Sequence, residues 1–393
     1  MKIIIVGGSV AGLTAALVLG EAGHQVEVLE RSPRPLVGRG AGIVAHRSTL
    51  KYLCETVGRS PDSLTLTARS LKYMDEDGSI ASEAPVSYRL LSYATLYSEL
   101  LSQLASTNSY HSASEVVEFT DNGDQVVVRT RSADVWEGDL LIFADGVHSM
   151  GRRTLLPSVS GRYAGYVAWR GTVDPDVMTS SDRGLINDGI TYRILPNSHL
   201  LTYPIPHNGG RTMLNWLWYR NSSEAHLRDL LLDTHGKQLE LSVPQGAVRD
   251  THIQQLYSDA ESCLPPPLSR LVRACPDPFV QAIVDIEVPR MAMGRVCLIG
   301  DAAFVVRPHV ATGSAKAAED AWQLANHLRN ADAREAPEFL AQWEQHQLAL
   351  GRSLLARARH FGYRAQFENS WNVGMELPFG LYQIGDSNFA DTA

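Results

Sequence analysis

The chain is 393 residues long, enough for two domains with sizeable cores. Its formal charge of −8 and isoelectric point near 5.9 argue against nucleic acid or an anionic membrane surface as partner, and no apolar run is long enough to cross a bilayer. The four cysteines, Cys54, Cys263, Cys275 and Cys297, show neither a C-x-x-C pair nor metal-ligand spacing, so they read as reduced, mostly buried thiols, and no metal site is expected.

Met1 leads directly into Ile3–Val6, a β-branched apolar run that reads as a buried strand. No cleaved leader is expected from this start, and the chain reads as cytoplasmic. A glycine turn follows, Gly7-Gly8-Ser9-Val10-Ala11-Gly12, then a helical pattern ending near Gly20 to Gly23, then the strand Gln25 to Glu30. Strand, glycine turn, helix, strand and terminal acid is the order a dinucleotide site needs. The turn lets backbone approach a pyrophosphate, the helix start supplies partial positive charge, and Glu30 can hold a ribose hydroxyl pair. The middle glycine of the usual G-x-G-x-x-G is Ser9 here. Serine is small and can donate its hydroxyl to a phosphate oxygen.

The stretch Arg31 to Gly42 is rich in Pro and Gly. Gly38, Gly40 and Gly42 suggest close backbone approach to something flat or large. A helix is expected over 47–57 and a hairpin around Glu76-Asp77-Gly78. An amphipathic helix is expected from Ser92 to Leu104, with Leu96, Leu100, Leu101 and Leu104 on one face. Strands at 116–119 and 125–130 precede a third, Gly138 to Ala144, that runs into Asp145-Gly146.

From Tyr163 to about Asp285, short alternating runs of aromatic and β-branched residues predict a mostly antiparallel sheet, with helices at 225–235 and 251–275. The chain then returns to a strand ending on Gly300-Asp301. A loop containing Arg307-Pro308-His309 follows, then a helix from Ser314 to about Leu328, a long helix over 335–365 and an irregular tail. The expected division is a Rossmann-like α/β domain built from 1–70, 92–162 and 286–334. A substrate domain is inserted at 163–285 with a hairpin contributed by 71–91, and 335–393 forms the C-terminal helix and tail.

Three strand-turn motifs in this order resemble the single-component FAD-dependent aromatic hydroxylases, the para-hydroxybenzoate hydroxylase fold family. They are the Gly7 turn with Glu30, Asp145-Gly146 with Ser149 and Arg152, and Gly300-Asp301 with Pro308 and Gly313. Tyr163 to Gly171 and Arg307 to Ala317 look most like members that act on hydroxypyridines. The chain departs from the family at Tyr93, where Arg is common, at Phe304, where His is common, and at Ala311-Thr312-Gly313, where Gly-Gln-Gly is typical.

The resemblance implies that Gly7, Gly8, Ser9, Ala11 and Gly12 wrap the FAD pyrophosphate. Glu30 would hold the adenosine ribose, and Arg31 would pack on the adenine side. Gly42, Asp145 and Asp301 would line the flavin, with Asp301 on the ribityl chain. Gly313, Ser314 and Ala315 would bring a helix start to the flavin edge where negative charge collects on reduction. NADH or NADPH would reduce FAD in a transient visit. O2 would add at flavin C4a to give a hydroperoxide, whose distal oxygen passes to an electron-rich hydroxylated ring. His309 reads as a proton acceptor, as a hydrogen-bond donor to substrate, or as a structural histidine bonding loop carbonyls. Tyr203, Trp216 and Tyr219 read as pocket walls or as plain core. A homodimer is implied by resemblance alone. A flavin halogenase would need Ile-Pro after its Trp-x-Trp, and Trp216-Leu217-Trp218-Tyr219-Arg220 lacks it. The alternatives are an FAD monooxygenase for a larger natural product or a non-aromatic substrate, and a flavin-binding module without turnover.

Overall fold

The computed structural model describes residues 1–35, 42–104, 109–207 and 210–386. Lys2–Val6 is a central strand of a six-stranded sheet, between Gln25–Leu29 and Leu140–Phe143, with Val296–Leu298 beyond. These four strands are parallel. Parallel strands need crossover connections, which cover both faces of the sheet. Ile3, Ile4, Ile5 and Leu140 to Phe143 are accordingly buried without a polar alternation. Each such side chain contributes about 1.5–3 kcal/mol of burial. The helix Val10–Glu21 packs against both Tyr93–Leu104 and Gly313–Leu328. Leu96, Leu100 and Leu104 face inward from the expected amphipathic stretch, while Leu101 is only half-buried.

The strand expected over 138–144 is interrupted at Asp139. Val135–Gly138 joins a separate three-stranded sheet, and Leu140–Phe143 enters the parallel one. Asp139 makes the switch by bonding Lys2: its N–H donates to the Lys2 carbonyl at 2.7 Å and its carboxylate accepts the Lys2 N–H at 2.6 Å.

The second large sheet has ten strands. Arg162–Val173, Gly189–Leu195, Ser198–His207, Arg211–Asn221 and Phe279–Glu287 give its antiparallel body. The hairpin around Gly78 is larger than its sequence signal, with arms Leu66–Met74 and Ile80–Ser92. Its first arm lies parallel to Gly189–Leu195, and Gly42–Ala45 pairs with the second. Along Arg211–Asn221 the side chains alternate. Trp216 and Trp218 enter a core shared with the helices Asp250–Cys263 and Pro266–Arg273, whereas Leu217 and Tyr219 join the opposite core.

The helix expected over 251–275 breaks at Pro265, whose ring forbids a continuous turn. The one expected over 225–235 is the shorter Glu224–Leu230. The helix Ala336–Tyr363 packs on Gly313–Leu328 and on the strand Phe279–Glu287. A π-helical turn, Arg364–Glu368, follows it, and the described tail from 369 to 386 is without helix or strand, yet Trp371, Leu377, Phe379 and Leu381 are buried. Cys275 and Cys297 are buried, Cys54 is half-buried and Cys263 is exposed, with no disulfide. Among the described residues no helix is long and apolar enough to cross a membrane, and no group of His, Cys, Asp or Glu could hold a metal ion.

Candidate active site

A cavity of about 760 Å³ opens at the carboxyl ends of the parallel strands, where α/β sheets collect ligands, and continues onto one face of the ten-stranded sheet. Gly7, Ser9 and Ala11 line its first wall, and Glu30 and Arg31 stand at one end. Asp145 and Asp301 border its middle. Gly42, Gly313 and Ser314 lead to an inner pocket that holds Tyr203, Tyr219 and His309. Gly38 and Gly40 lie outside the described residues.

The glycine turn is shaped by contact rather than by composition. Gly7 has φ +106°, and a Cβ there would sit 2.4 Å from the Ala144 carbonyl oxygen. A Cβ on Gly12 would sit 1.9 Å from the Gly7 carbonyl oxygen, so Gly12 serves the close packing of helix on turn and does not line the cavity. Gly8 is also off the lining. It donates its N–H to Glu30 Oε2 at 2.8 Å, and Ser32 donates to Oε1 at 2.7 Å. Two of about four acceptor positions on the Glu30 carboxylate are thereby used, and the others are left for a diol. The Ser9 hydroxyl bonds Tyr93 Oη. It is therefore engaged by a side chain from the helix Tyr93–Leu104 rather than standing free toward the cavity.

Asp145 caps the helix Met150–Leu155 by accepting from the Met150 N–H at 2.7 Å. Burial raises its carboxyl above the usual range, against hydrogen bonds from Ser149 and from the Met150 and Gly151 N–H groups. Arg152 joins this turn to the next by donating to the carbonyls of Val147, Asp301 and Ala302, the last at 2.9 Å. Asp301 is exposed, and the space it is exposed to is the cavity. The surrounding protein pushes its carboxyl up to about 6 against the pull of Arg152. Below it, Asp320 accepts the Gly300 N–H at 2.9 Å and pairs with Lys316, both side chains being buried.

The helix Gly313–Leu328 points its start at the cavity. Its first internal bond is Lys316 N–H to the Thr312 carbonyl at 2.7 Å, so the N–H groups of Gly313, Ser314 and Ala315 lack intrahelical partners. The Ala315 side chain itself belongs to a separate cluster with Leu350 and Leu354. Just before this start Ala311 has φ 56° and ψ 30°, the left-handed region that favours glycine. His46 Nε2 holds its carbonyl at 2.9 Å. Ala311→Val is expected to cost about 2 kcal/mol of stability, because a branched side chain is strained there, whereas Ala311→Gly is expected to cost nothing measurable. Paired thermal melts check this.

The inner pocket is aromatic. His199 stacks on Tyr219 with ring centroids 4.6 Å apart, and His309 lies 4.8 Å from Tyr219 and 5.5 Å from Phe361. Burial lowers His199 to about 3 and holds His309 well below its ordinary value, with His199 and Arg307 adding to the effect. Both rings are therefore neutral near pH 7. Tyr192, Tyr203 and Phe379 complete the walls. Arg170 also reaches the lining, with its Nε buried and unpartnered.

One expected wall residue is displaced. Trp216 is fully buried on the far face of its strand, because neighbours along a strand point to opposite sides and Leu217 and Tyr219 take the cavity side. Sequence reasoning missed His199, Tyr192, Phe361 and Phe379. The period-two run His199, Leu201, Tyr203 carried a usable signal for the first. Nothing local marked Phe379.

The cavity fits the flavin dinucleotide that the resemblance implies. A tight glycine turn meets a carboxylate with spare acceptor sites, Asp145 and an open Asp301 follow along the strand ends, and free helix N–H groups stand beside an aromatic pocket.

Comparison with known proteins agrees with this geometry. A family model described as an FAD binding domain matches residues 1–186 and 284–358, and a second, described as FAD binding domain-like, matches 163–285. The chain is 37% identical over 391 residues to a 2,6-dihydroxypyridine 3-monooxygenase of Paenarthrobacter nicotinovorans, covering 98% of this chain and 97% of that one. The solved structure of 2,6-dihydroxypyridine-3-hydroxylase from Arthrobacter nicotinovorans superposes with a TM-score of 0.91, at 37% identity and over 98% and 97% of the two chains. A 3-hydroxybenzoate 6-hydroxylase of Klebsiella oxytoca is 28% identical, over 86% of this chain and 82% of its own. Klebsiella pneumoniae HpxO, solved with FAD and uric acid, shares the fold at a TM-score of 0.75 and 23% identity, over 94% of this chain and 90% of its own.

Proposed function

The chain belongs to the FAD-binding-domain family of FAD-dependent aromatic-ring monooxygenases, and we propose that this member hydroxylates a small hydroxypyridine with NADH or NADPH as the reductant. The observation that carries the substrate class is the inner pocket: a space lined by tyrosines and two neutral histidines, opening from the cofactor cleft beside the start of the helix Gly313–Leu328. Its likeness to the dihydroxypyridine hydroxylases over nearly the whole chain supports the same class. The large sheet, with residues 163–285 and the hairpin, forms the substrate side, and the parallel sheet forms the cofactor side. The protein works as a homodimer in the cytoplasm.

When bound, FAD supplies the two electrons taken from NAD(P)H and the activation of O2 that puts one oxygen atom on the ring and the other into water. The chain's own residues do the rest. Gly7 and Ala11 let backbone approach the pyrophosphate, Glu30 accepts from the ribose hydroxyls, and Asp301 accepts from the ribityl chain. Gly313, Ser314 and Ala315 offer N–H groups to the flavin edge that becomes negative. Tyr192, Tyr203, Tyr219 and Phe361 sandwich the substrate ring and keep water out. His309 touches a polar group of that ring. Arg170, a cation at the lining with no acid paired to it among the described residues, favours the ionised hydroxypyridine, whose charge makes the ring electron-rich.

The test is NADH and NADPH oxidation by the purified protein with a panel of hydroxypyridines and phenols, with product oxygen traced from labelled dioxygen. Oxidation accelerated by a hydroxypyridine, with label in the product, is the expected result. Acceleration by phenols alone, or by no ring, overturns the substrate assignment. His309→Ala is expected to keep FAD and lose most coupling of NAD(P)H use to product. Unchanged coupling removes His309 from the site.

A further inference from the structure

The two nitrogens of His309 have different surroundings, and these fix where its single hydrogen sits. Nε2 lies 2.7 Å from Tyr166 Oη. The same hydroxyl oxygen faces Arg307 Nη1 at 3.4 Å, and Arg307 is held by twin 2.8 Å bonds to the Asp285 carboxylate. A guanidinium only donates, so it takes a lone pair of the Tyr166 oxygen. Tyr166 is fully buried, and burial keeps its hydroxyl protonated. Its hydrogen must go to an acceptor, and His309 Nε2 is the acceptor within reach. Had His309 donated from Nε2, the Tyr166 hydrogen would be buried with nowhere to go.

The His309 ring is neutral, so with Nε2 bare its hydrogen is on Nδ1. The Cδ2 edge faces the helix Ala336–Tyr363, where a Cβ on Gly362 would come within 3.1 Å of it. Nδ1 is on the other edge of a ring that lines the cavity, and it has no partner among the described residues.

We propose that Tyr166, backed by Arg307 and Asp285, is a positioning residue that locks His309 as the Nδ1–H tautomer, so that His309 recognises its ligand as a hydrogen-bond donor to an oxyanion or lactam oxygen. This deepens the reading of the pocket given above and rests on it for the ligand class. His309 is then not the group that first removes a substrate proton, because its basic nitrogen is already spoken for by Tyr166.

Two measurements separate the tautomer from the substrate assignment. The first is a nitrogen-15 histidine spectrum of the full FAD-loaded chain, with His309 assigned by its loss in His309→Asn. A protonated Nδ1 and bare Nε2 are expected, and Tyr166→Phe, which keeps the ring and deletes the hydroxyl, is expected to abolish that pattern. A protonated Nε2 in the unaltered protein overturns the proposal even if a hydroxypyridine is turned over. The second uses a hydroxypyridine as probe. Asparagine can place its amide N–H near the Nδ1 position and cannot titrate, whereas glutamine reaches toward the Nε2 position. His309→Asn is expected to retain binding within a fewfold of the unaltered protein, while His309→Gln and Tyr166→Phe weaken it about tenfold, the worth of one good hydrogen bond. Equal loss in His309→Asn and His309→Gln, with a pH profile flattened in both, overturns the donor role and restores the base.

Discussion

Lys316→Met is expected to cost about 3–5 kcal/mol of folding stability. Lys316 and Asp320 are both buried and bond each other within one helical turn, with the lysine also lying 5.4 Å from the centre of the Phe304 ring. Removing the cation leaves a carboxylate in a fully buried site, where the Gly300 N–H remains bonded to it. Burial pushes Asp320 up and the lysine pulls it down, so removing Lys316 shifts the acid further toward its protonated form. Adding Asp320→Asn to Lys316→Met is expected to recover much of the loss, because an amide oxygen still accepts from Gly300 without a charge to bury. The check is the urea midpoint of the single and double variants. A single variant that unfolds at the original midpoint would show the pair to be silent.

Asp301→Ala is expected to lower FAD affinity by roughly 10- to 100-fold, the range of a hydrogen bond to a charged group. Titration of the FAD-stripped chain with FAD, followed by flavin fluorescence, measures this directly. A variant that purifies fully yellow and keeps its FAD on dilution would move the ribityl contact elsewhere. The pH dependence has a defined sign. Folding raises the Asp301 carboxyl from the ordinary carboxylate range to about 6. Its ionisation therefore works against the cofactor-free fold, which loses stability as pH rises from that ordinary range through about 6. An ionised carboxylate accepts more strongly than the acid, so FAD affinity is expected to fall as pH drops below about 6, and Asp301→Asn is expected to lack that step.

The nucleotide half was legible because each of its signals is local. Ile3–Val6, the glycine turn and Glu30 lie within one short stretch, and Gly300-Asp301 adjoins the helix it serves. Parallel strands buried on both faces also announce themselves as unbroken apolar runs. The substrate half was legible as a sheet but not as a pocket. Trp216 and Tyr219 belong to the same strand, and only the register with Ser198–His207 decides which face meets the cavity. Tyr166 looked like any aromatic in that sheet, and its bond to His309 joins residues 143 positions apart. Ala311 was legible as a departure from the glycine usual there, but its left-handed backbone needed coordinates to see.

The irregular tail has a role that its lack of regular structure conceals. Arg357 donates to the carbonyls of Gly380 and Leu381, Asp386 gathers the N–H groups of Leu381, Tyr382 and Gln383, and Phe379 is thereby held edge-on to Tyr88 at 5.3 Å as part of the cavity wall. During synthesis this wall arrives long after the glycine turn at Gly7 has left the ribosome. A nascent chain that stops short of residue 379 carries an incomplete pocket, with Tyr88 and its neighbours facing water. A pocket closed against water therefore belongs to the chain only once this tail has folded back.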